Sequence, residues 1–294
     1  MLAAAIIFRA RSDTTLHPPA PIVGKCIYCL NDSVPLSKEH IIPKGLGGAL
    51  SLRKASCSSC RDITSSFETE CQHRYLGIAR AKLRMPTRRK WERPSSFPIR
   101  VRLTNGEERE ITVPIEDFPL MIALPILPVA KISRNLPIQS SDQVEGGGFW
   151  TRLPNFEVMQ RAFGVLEVEE YLGPSVAIRP FARMLAKIAY CKAVYDFGCD
   201  NITPYVVNFV LGKQVRDSDS DVNYYIGSNP PDIVDNKNVH RIRVNVEKNG
   251  FITVYIWLFA AFGAPVYHVV VGKIINMDVK PRHTSLSSQY KTLE

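Results

Sequence analysis

The chain has 294 residues, 45% apolar and 22% charged, which is enough to bury a sizeable core and speaks against disorder along its length. Its longest apolar run, Phe251 to Phe262, is too short for a bilayer-spanning helix, so no membrane role and a cytoplasmic location are expected. The net charge is +9, and all of that excess lies between Arg74 and Arg102, where ten basic residues face one acid, Glu92. Such a block is either a phosphate footprint or a solvated basic linker.

Residues 1–19 read as a flexible N-terminus, with the short apolar stretch Leu2 to Ile7 lacking the basic flank of a signal peptide. Two C-x-x-C pairs follow, Cys26-Ile27-Tyr28-Cys29 and Cys57-Ser58-Ser59-Cys60. Four thiolates in two such turns suit a tetrahedral structural Zn²⁺, and the absence of a secretion signal argues against disulfides. Cys71, Cys191 and Cys199 stand apart and read as buried thiols. Between the pairs lies Ser37-Lys38-Glu39-His40-Ile41-Ile42-Pro43, followed by the Gly47-Gly48 break. In a regular strand Glu39 and His40 point to opposite sides, so a shared centre requires a strand end or a bulge.

The ordered set C-x-x-C, Glu-His-Ile-Ile-Pro, Gly-Gly, C-x-x-C over roughly Lys25 to Glu70 resembles the HNH endonucleases of the ββα-metal type. The resemblance implies two strands packed on a helix that begins near Cys60. It also implies hydrolysis of nucleic-acid phosphodiester bonds, DNA before RNA, to a 5′-phosphate and a 3′-hydroxyl. His40 would be the general base, since an imidazole can take a proton near neutral pH. A catalytic Mg²⁺ or Mn²⁺ would be held by Glu39 with Asp62 and Glu68, the latter two on the helix.

Two positions depart from the family pattern. No Asn occurs in Ser51 to Ser56, and Arg61 stands where a further metal ligand is usual. Arginine cannot ligate a metal but suits a phosphate. Asp62 has a plain alternative role at the positive end of the helix, and Glu68 one as the partner of Arg61 or Arg74.

Gln72 to Leu83 is expected to be helical, ended by Pro86, and Thr87 to Pro98 to be a basic arm. Arg61, Arg88, Arg89 and Lys90 are its candidate nucleic-acid contacts, and Trp91 reads as a packing anchor rather than a base-stacking ring.

Farther along, Asn105-Gly106 marks a hairpin between Ile99–Leu103 and Glu110–Val113. Residues 140–148 read as a glycine-rich mobile loop. Ile178 to Phe197 is the clearest helix, with Phe181, Met184, Leu185, Ile188 and Tyr195 on one face and Gly198 as its stop. Arg183 and Lys187 read as its solvated face, with nucleic-acid contact as the alternative. The segment from Arg216 to Asp221, with Asp217 and Asp219, reads as a surface turn rather than a calcium loop. Val239 to Glu247, Phe251 to Phe262 and Val266 to Val271 form a β-meander, and His240 and His268 receive no role.

The expected architecture is α+β: an N-terminal zinc-stabilised ββα-metal HNH domain at residues 20–92 with its basic arm, then a larger α+β domain at 99–294 ending in the meander. The expected function is a metal-dependent endonuclease. The alternative is a non-catalytic zinc module that binds nucleic acid and serves regulation. The C-terminal region has no assigned activity, and a substrate clamp, a homo-oligomer surface and a ligand sensor all stay open.

Overall fold

The computed structural model describes residues 19–87, 91, 93–118, 120–139, 144–152, 168–172, 177–230, 238–282 and 285–289. The N-terminal stretch expected to be flexible lies, up to residue 18, outside them. Strand β1 (Ser37–His40) pairs antiparallel with β2 (Ser51–Ser56), and the chain passes through Cys57 directly into helix α1 (Ser58–His73). The hairpin closes through a single 3-10 turn, Lys44–Leu46, ended by Gly47 at φ 87°, a conformation that favours glycine. A Cβ on Gly48 would sit 1.9 Å from the Ile42 carbonyl oxygen, so only glycine permits this closure.

The helix expected over Gln72 to Leu83 is instead two pieces. Helix α1 runs on to His73, the backbone breaks at Arg74, and α2 (Gly77–Lys82) follows. Tyr75 and Leu76, at the break, are both buried in the core.

Strands β3 (Ser96–Leu103) and β4 (Glu108–Pro114) form the hairpin expected at Asn105-Gly106, with Gly106 at φ 83°. Beyond them come β5 (Ile122–Ile126), a short α3 (Lys131–Arg134), β6 (Gly148–Arg152) and β7 (Val168–Leu172). β7 adds to β3 and β6 pairs with β5. The loop expected at 140–148 begins outside the described residues, at 140–143.

Helix α4 (Ile178–Phe197) has the expected bounds and ends on Gly198. It is followed by β8 (Ile202–Pro204), α5 (Val207–Leu211), β9 (Ile226–Asn229), β10 (Asn238–Val246), β11 (Phe251–Leu258), β12 (Val266–Ile274) and β13 (Ser285–Gln289). One sheet runs β13-β10-β11-β12-β8, with β9 also on β12. The meander is therefore present, turned at Asn249-Gly250, but β11 stops at Leu258 because Phe259 adopts φ 59°.

The chain is α+β, with antiparallel sheets and α4 at its centre. This helix packs against β8 to β12 on one side and against α1 and β2 on the other. Flanked by both, it is buried over nearly its whole length rather than along one stripe. The main apolar cluster consequently includes residues from Cys26 to Ile274, with smaller separate clusters at the β3–β4 hairpin and around Trp257. Among the described residues no helix is long and apolar enough to cross a membrane.

Candidate functional site

Two C-x-x-C turns meet because the backbone between them is laced together. Ile27 N donates to Ala55 O at 2.9 Å, and Val23 and Gly24 bond to Arg53 and Lys54. In the first turn Leu30 N donates to Cys26 O at 2.8 Å, with Leu30 at φ 62°. In the second, Cys57 caps α1 and Cys60 lies in its first turn. The Sγ atoms of Cys26, Cys29, Cys57 and Cys60 all lie within 4.8 Å of one another. Cys29 and Cys57 Sγ are 3.7 Å apart, close to the edge of about 3.8 Å in a tetrahedron with metal–sulfur bonds of about 2.3 Å. The four expected ligands are thus brought together as a set that could hold a metal ion. It is the one such cluster of three or more His, Cys, Asp or Glu groups among the described residues.

Glu39 and His40 part company. The β1–β2 register shifts between Ser37 and Glu39, then pairs Glu39 with Leu52 and His40 with Ser51 in regular order. Adjacent residues in a regular stretch face opposite ways. Glu39 accordingly turns inward and is only 6% exposed, while the His40 side is half-buried and open to solvent. Inward, Glu39 Oε1 lies 2.8 Å from Lys187 Nζ, and Glu68 Oε1 lies 2.9 Å from the same atom. Lys187 Nζ also donates to the His40 carbonyl oxygen. Burial opposes the charge on Lys187, which is 1% exposed, but Glu39 and Glu68 outweigh it and hold its pKa above the usual lysine value. Burial raises the Glu68 carboxyl, and Lys187 works against that rise.

The catalytic-metal set of Glu39, Asp62 and Glu68 is therefore not assembled. Two of its members converge, but on an ammonium group. Asp62 does not join them: it is exposed, with its Oδ1 3.4 Å from Arg61. Six helical residues separate Asp62 from Glu68, about 120° around the axis, so both cannot face one point. Glu68 finds its partner in Lys187 of α4, rather than in Arg61; Arg74 pairs instead with Glu70. These residues do not fit a divalent ion that needs an open, water-accessible oxygen set.

No family model, curated protein or solved structure matches the chain. Its chemistry is read from its own geometry.

Among the described residues the His40 imidazole has no hydrogen-bond partner. Burial first, then the charges of Lys187 and Lys38, lowers its pKa to about 4, so the ring is neutral at pH 7. Lys38 and Lys44 are exposed beside it and add positive charge on the solvent side.

Three residues of the basic block are spent on the fold. Arg80 donates to the carbonyls of Gly45, Gln72 and Pro86, Lys82 to Ile115 and Glu116, and Arg93 to Met85. Arg74 and Arg102 pair with Glu70 and Glu108. Arg61, Arg84 and Arg100 are exposed, whereas Arg88, Arg89 and Lys90 lie outside the described residues. Trp91 is 82% exposed, which overturns its reading as a packing anchor.

Three further expectations are corrected. Arg183 and Lys187 are not a solvated face. Arg183 donates from Nε and Nη2 to Val210 O at 3.0 and 2.8 Å and stacks over Phe67. Asp219 and Asp221 are buried rather than on a surface turn: Asp219 accepts from Val215 and Arg216 N, Asp221 from Lys131 Nζ and Gln139 N. His240, given no role, is fully buried, its Nε2 2.8 Å from Leu46 O and its Nδ1 accepting from Phe259 N.

Lys187 and His240 are the site residues that sequence reasoning missed. Lys187 carried a misleading signal, because Arg179, Arg183 and Lys187 recur every fourth residue and so read as one solvated stripe of the helix. His240 carried none, since only the fold brings it to the loop at Leu46.

Proposed function

We propose that this protein acts on the phosphodiester backbone of nucleic acid, DNA before RNA, through His40, on a hairpin and helix clasped by a Zn²⁺ tetrathiolate. The reading unites the resemblance to HNH endonucleases with one observation. His40 presents a half-buried imidazole, neutral at pH 7 and with no hydrogen-bond partner among the described residues, on a backbone to which Lys187 donates. A neutral imidazole can take the proton of an attacking water as its oxygen bonds to phosphorus. The bond to the 3′-oxygen breaks, and that oxygen leaves as the 3′-hydroxyl after gaining a proton. Lys38, Lys44 and Arg61 are the exposed cations available to the phosphate. Cys26, Cys29, Cys57 and Cys60 would hold Zn²⁺, whose work is to close the fold.

The Mg²⁺ or Mn²⁺ that the resemblance implies takes no part in this reading, because Glu39 and Glu68 are already engaged by Lys187. That same engagement, with Arg61 at a ligand position, favours a second reading in which the zinc module binds nucleic acid without cutting it.

Supercoiled plasmid and single-stranded RNA, incubated with the zinc-loaded protein with and without added Mn²⁺, separate the two readings. Cutting that falls at least 100-fold in His40→Ala, with binding kept, supports the first. Binding without cutting under every condition supports the second.

A further inference from the structure

We infer that Lys187 is the resident cation of the Glu39–Glu68 pair, and that this carboxylate site takes no divalent metal. The inference draws on the ion triad alone and does not need His40 to be a base.

The triad spans three elements that are distant in sequence: Glu39 on β1, Glu68 on α1 and Lys187 on α4. The ammonium has three neighbours: it donates to the His40 carbonyl and lies within ion-pair distance of both carboxylates, at 2.8 Å from Glu39 and 2.9 Å from Glu68. A divalent ion on the same carboxylates would leave Lys187 buried with like charge beside it and no acid to pair with. A lone buried ammonium is strongly unfavourable, and repulsion from the neighbouring ion adds to that. Lys187 is only 1% exposed, midway along a helix that contacts both α1 and the β8 to β12 sheet. Room is lacking as well. Mg²⁺ and Mn²⁺ keep several water ligands when bound by one or two carboxylates. Glu39 is 6% exposed, and Glu68 Oε1, the oxygen facing the lysine, touches no solvent. A lysine in this place supplies the positive charge without coordination geometry or metal supply, and fastens the hairpin to α4.

Manganese binding to the full-length, zinc-loaded protein tests this, read by the loss of the free Mn²⁺ electron paramagnetic resonance signal, alongside thermal melts. The wild type should bind no Mn²⁺ with a Kd below 1 mM, taken as about the limit of weak carboxylate sites, and its Tm should not change with Mn²⁺. Lys187→Met keeps the length of the side chain and removes the charge. It should melt lower than wild type and recover at least half of the loss when Mn²⁺ is added, with that recovery absent in Lys187→Met combined with Glu39→Gln. If Lys187→Met does not fold, Glu39→Gln in the wild-type background decides: it should lower Tm and leave Mn²⁺ binding unchanged. Stoichiometric Mn²⁺ binding by the wild type that Glu39→Gln abolishes overturns the inference, as does a Lys187→Met protein as stable as wild type without metal. Cutting that requires Mn²⁺ and Glu39 sinks this inference and the metal-free form of the proposed function together, leaving only the role of His40 to be read from His40→Ala. No cutting, with no Mn²⁺ bound, overturns the proposed function and leaves this inference standing.

Discussion

The imidazole Nε2 of His240, on β10, lies 2.8 Å from the carbonyl oxygen of Leu46, in the turn that closes the His40 hairpin. The other ring nitrogen accepts from Phe259 N at 3.2 Å, so the neutral tautomer with hydrogen on Nε2 satisfies both contacts. One fully buried ring thus joins the C-terminal sheet to the candidate site, although 194 residues separate the two partners.

Burial lowers the His240 pKa to about 4. The unfolded chain takes up a proton near pH 6.5 while the folded one does not, so stability must fall as pH drops from 6.5 towards 4. For a fully buried ring this amounts to roughly 3 kcal/mol across that window, with His40 adding in the same direction. Thermal melts between pH 4.5 and 7.5 should show Tm declining over this range. His240→Gln can donate to Leu46 and accept from Phe259 without titrating, and should flatten the decline. An equal slope in the variant would exclude His240 as its source.

Four thiols this close should bind one zinc ion per chain, measurable by elemental analysis of the purified protein. Cys57→Ser should lose that ion. Because Cys57 also leads into α1, it should lose the cooperative melt as well, since metal binding of this kind contributes directly to folding. A zinc-free Cys57→Ser protein with wild-type Tm would make the cluster incidental.

Arginines of the basic block should divide into two groups. Arg80→Ala removes donors from three carbonyls and should destabilise by about 2–3 kcal/mol. Arg84→Ala and Arg100→Ala, both exposed, should change stability by less than about 0.5 kcal/mol. In a DNA-binding assay across salt concentrations, Arg61→Ala should reduce the slope by about one unit for each phosphate that Arg61 neutralises. An unchanged slope would remove Arg61 from the interface.

Gly48→Ala tests the hairpin closure. Its methyl group would meet the Ile42 carbonyl at 1.9 Å, so the loop must open. The expected loss is at least about 2 kcal/mol, read as a drop in Tm. Gly106→Ala meets no neighbouring atom and is penalised only by its left-handed φ of 83°, about 1 kcal/mol, so it should cost less.

Local pattern carried much of this fold. The Asn105-Gly106 and Asn249-Gly250 turns, the full span of α4 and the order of the meander all rest on interactions between neighbours in sequence, or on the chemistry of single turn residues. The pairing of the two C-x-x-C turns was legible for a similar reason, because thiolates at that spacing have few other uses. Where one residue's conformation decided the outcome, pattern was not enough: α1 breaks at Arg74 and β11 ends at Phe259, where the backbone leaves the regular conformation without a sequence signal.

The candidate site divides along the same line. Residue type and order by themselves grouped four sulfurs, one histidine and three acids, Glu39, Asp62 and Glu68; the sulfurs do come together, whereas Asp62 stays apart. Only the tertiary structure decided what the acids hold, because Lys187 enters from a helix 119 residues beyond Glu68 and its charge cannot stay unpaired in the core. An ion pair between distant segments leaves no periodicity in the chain. It exists only after the core has closed around it.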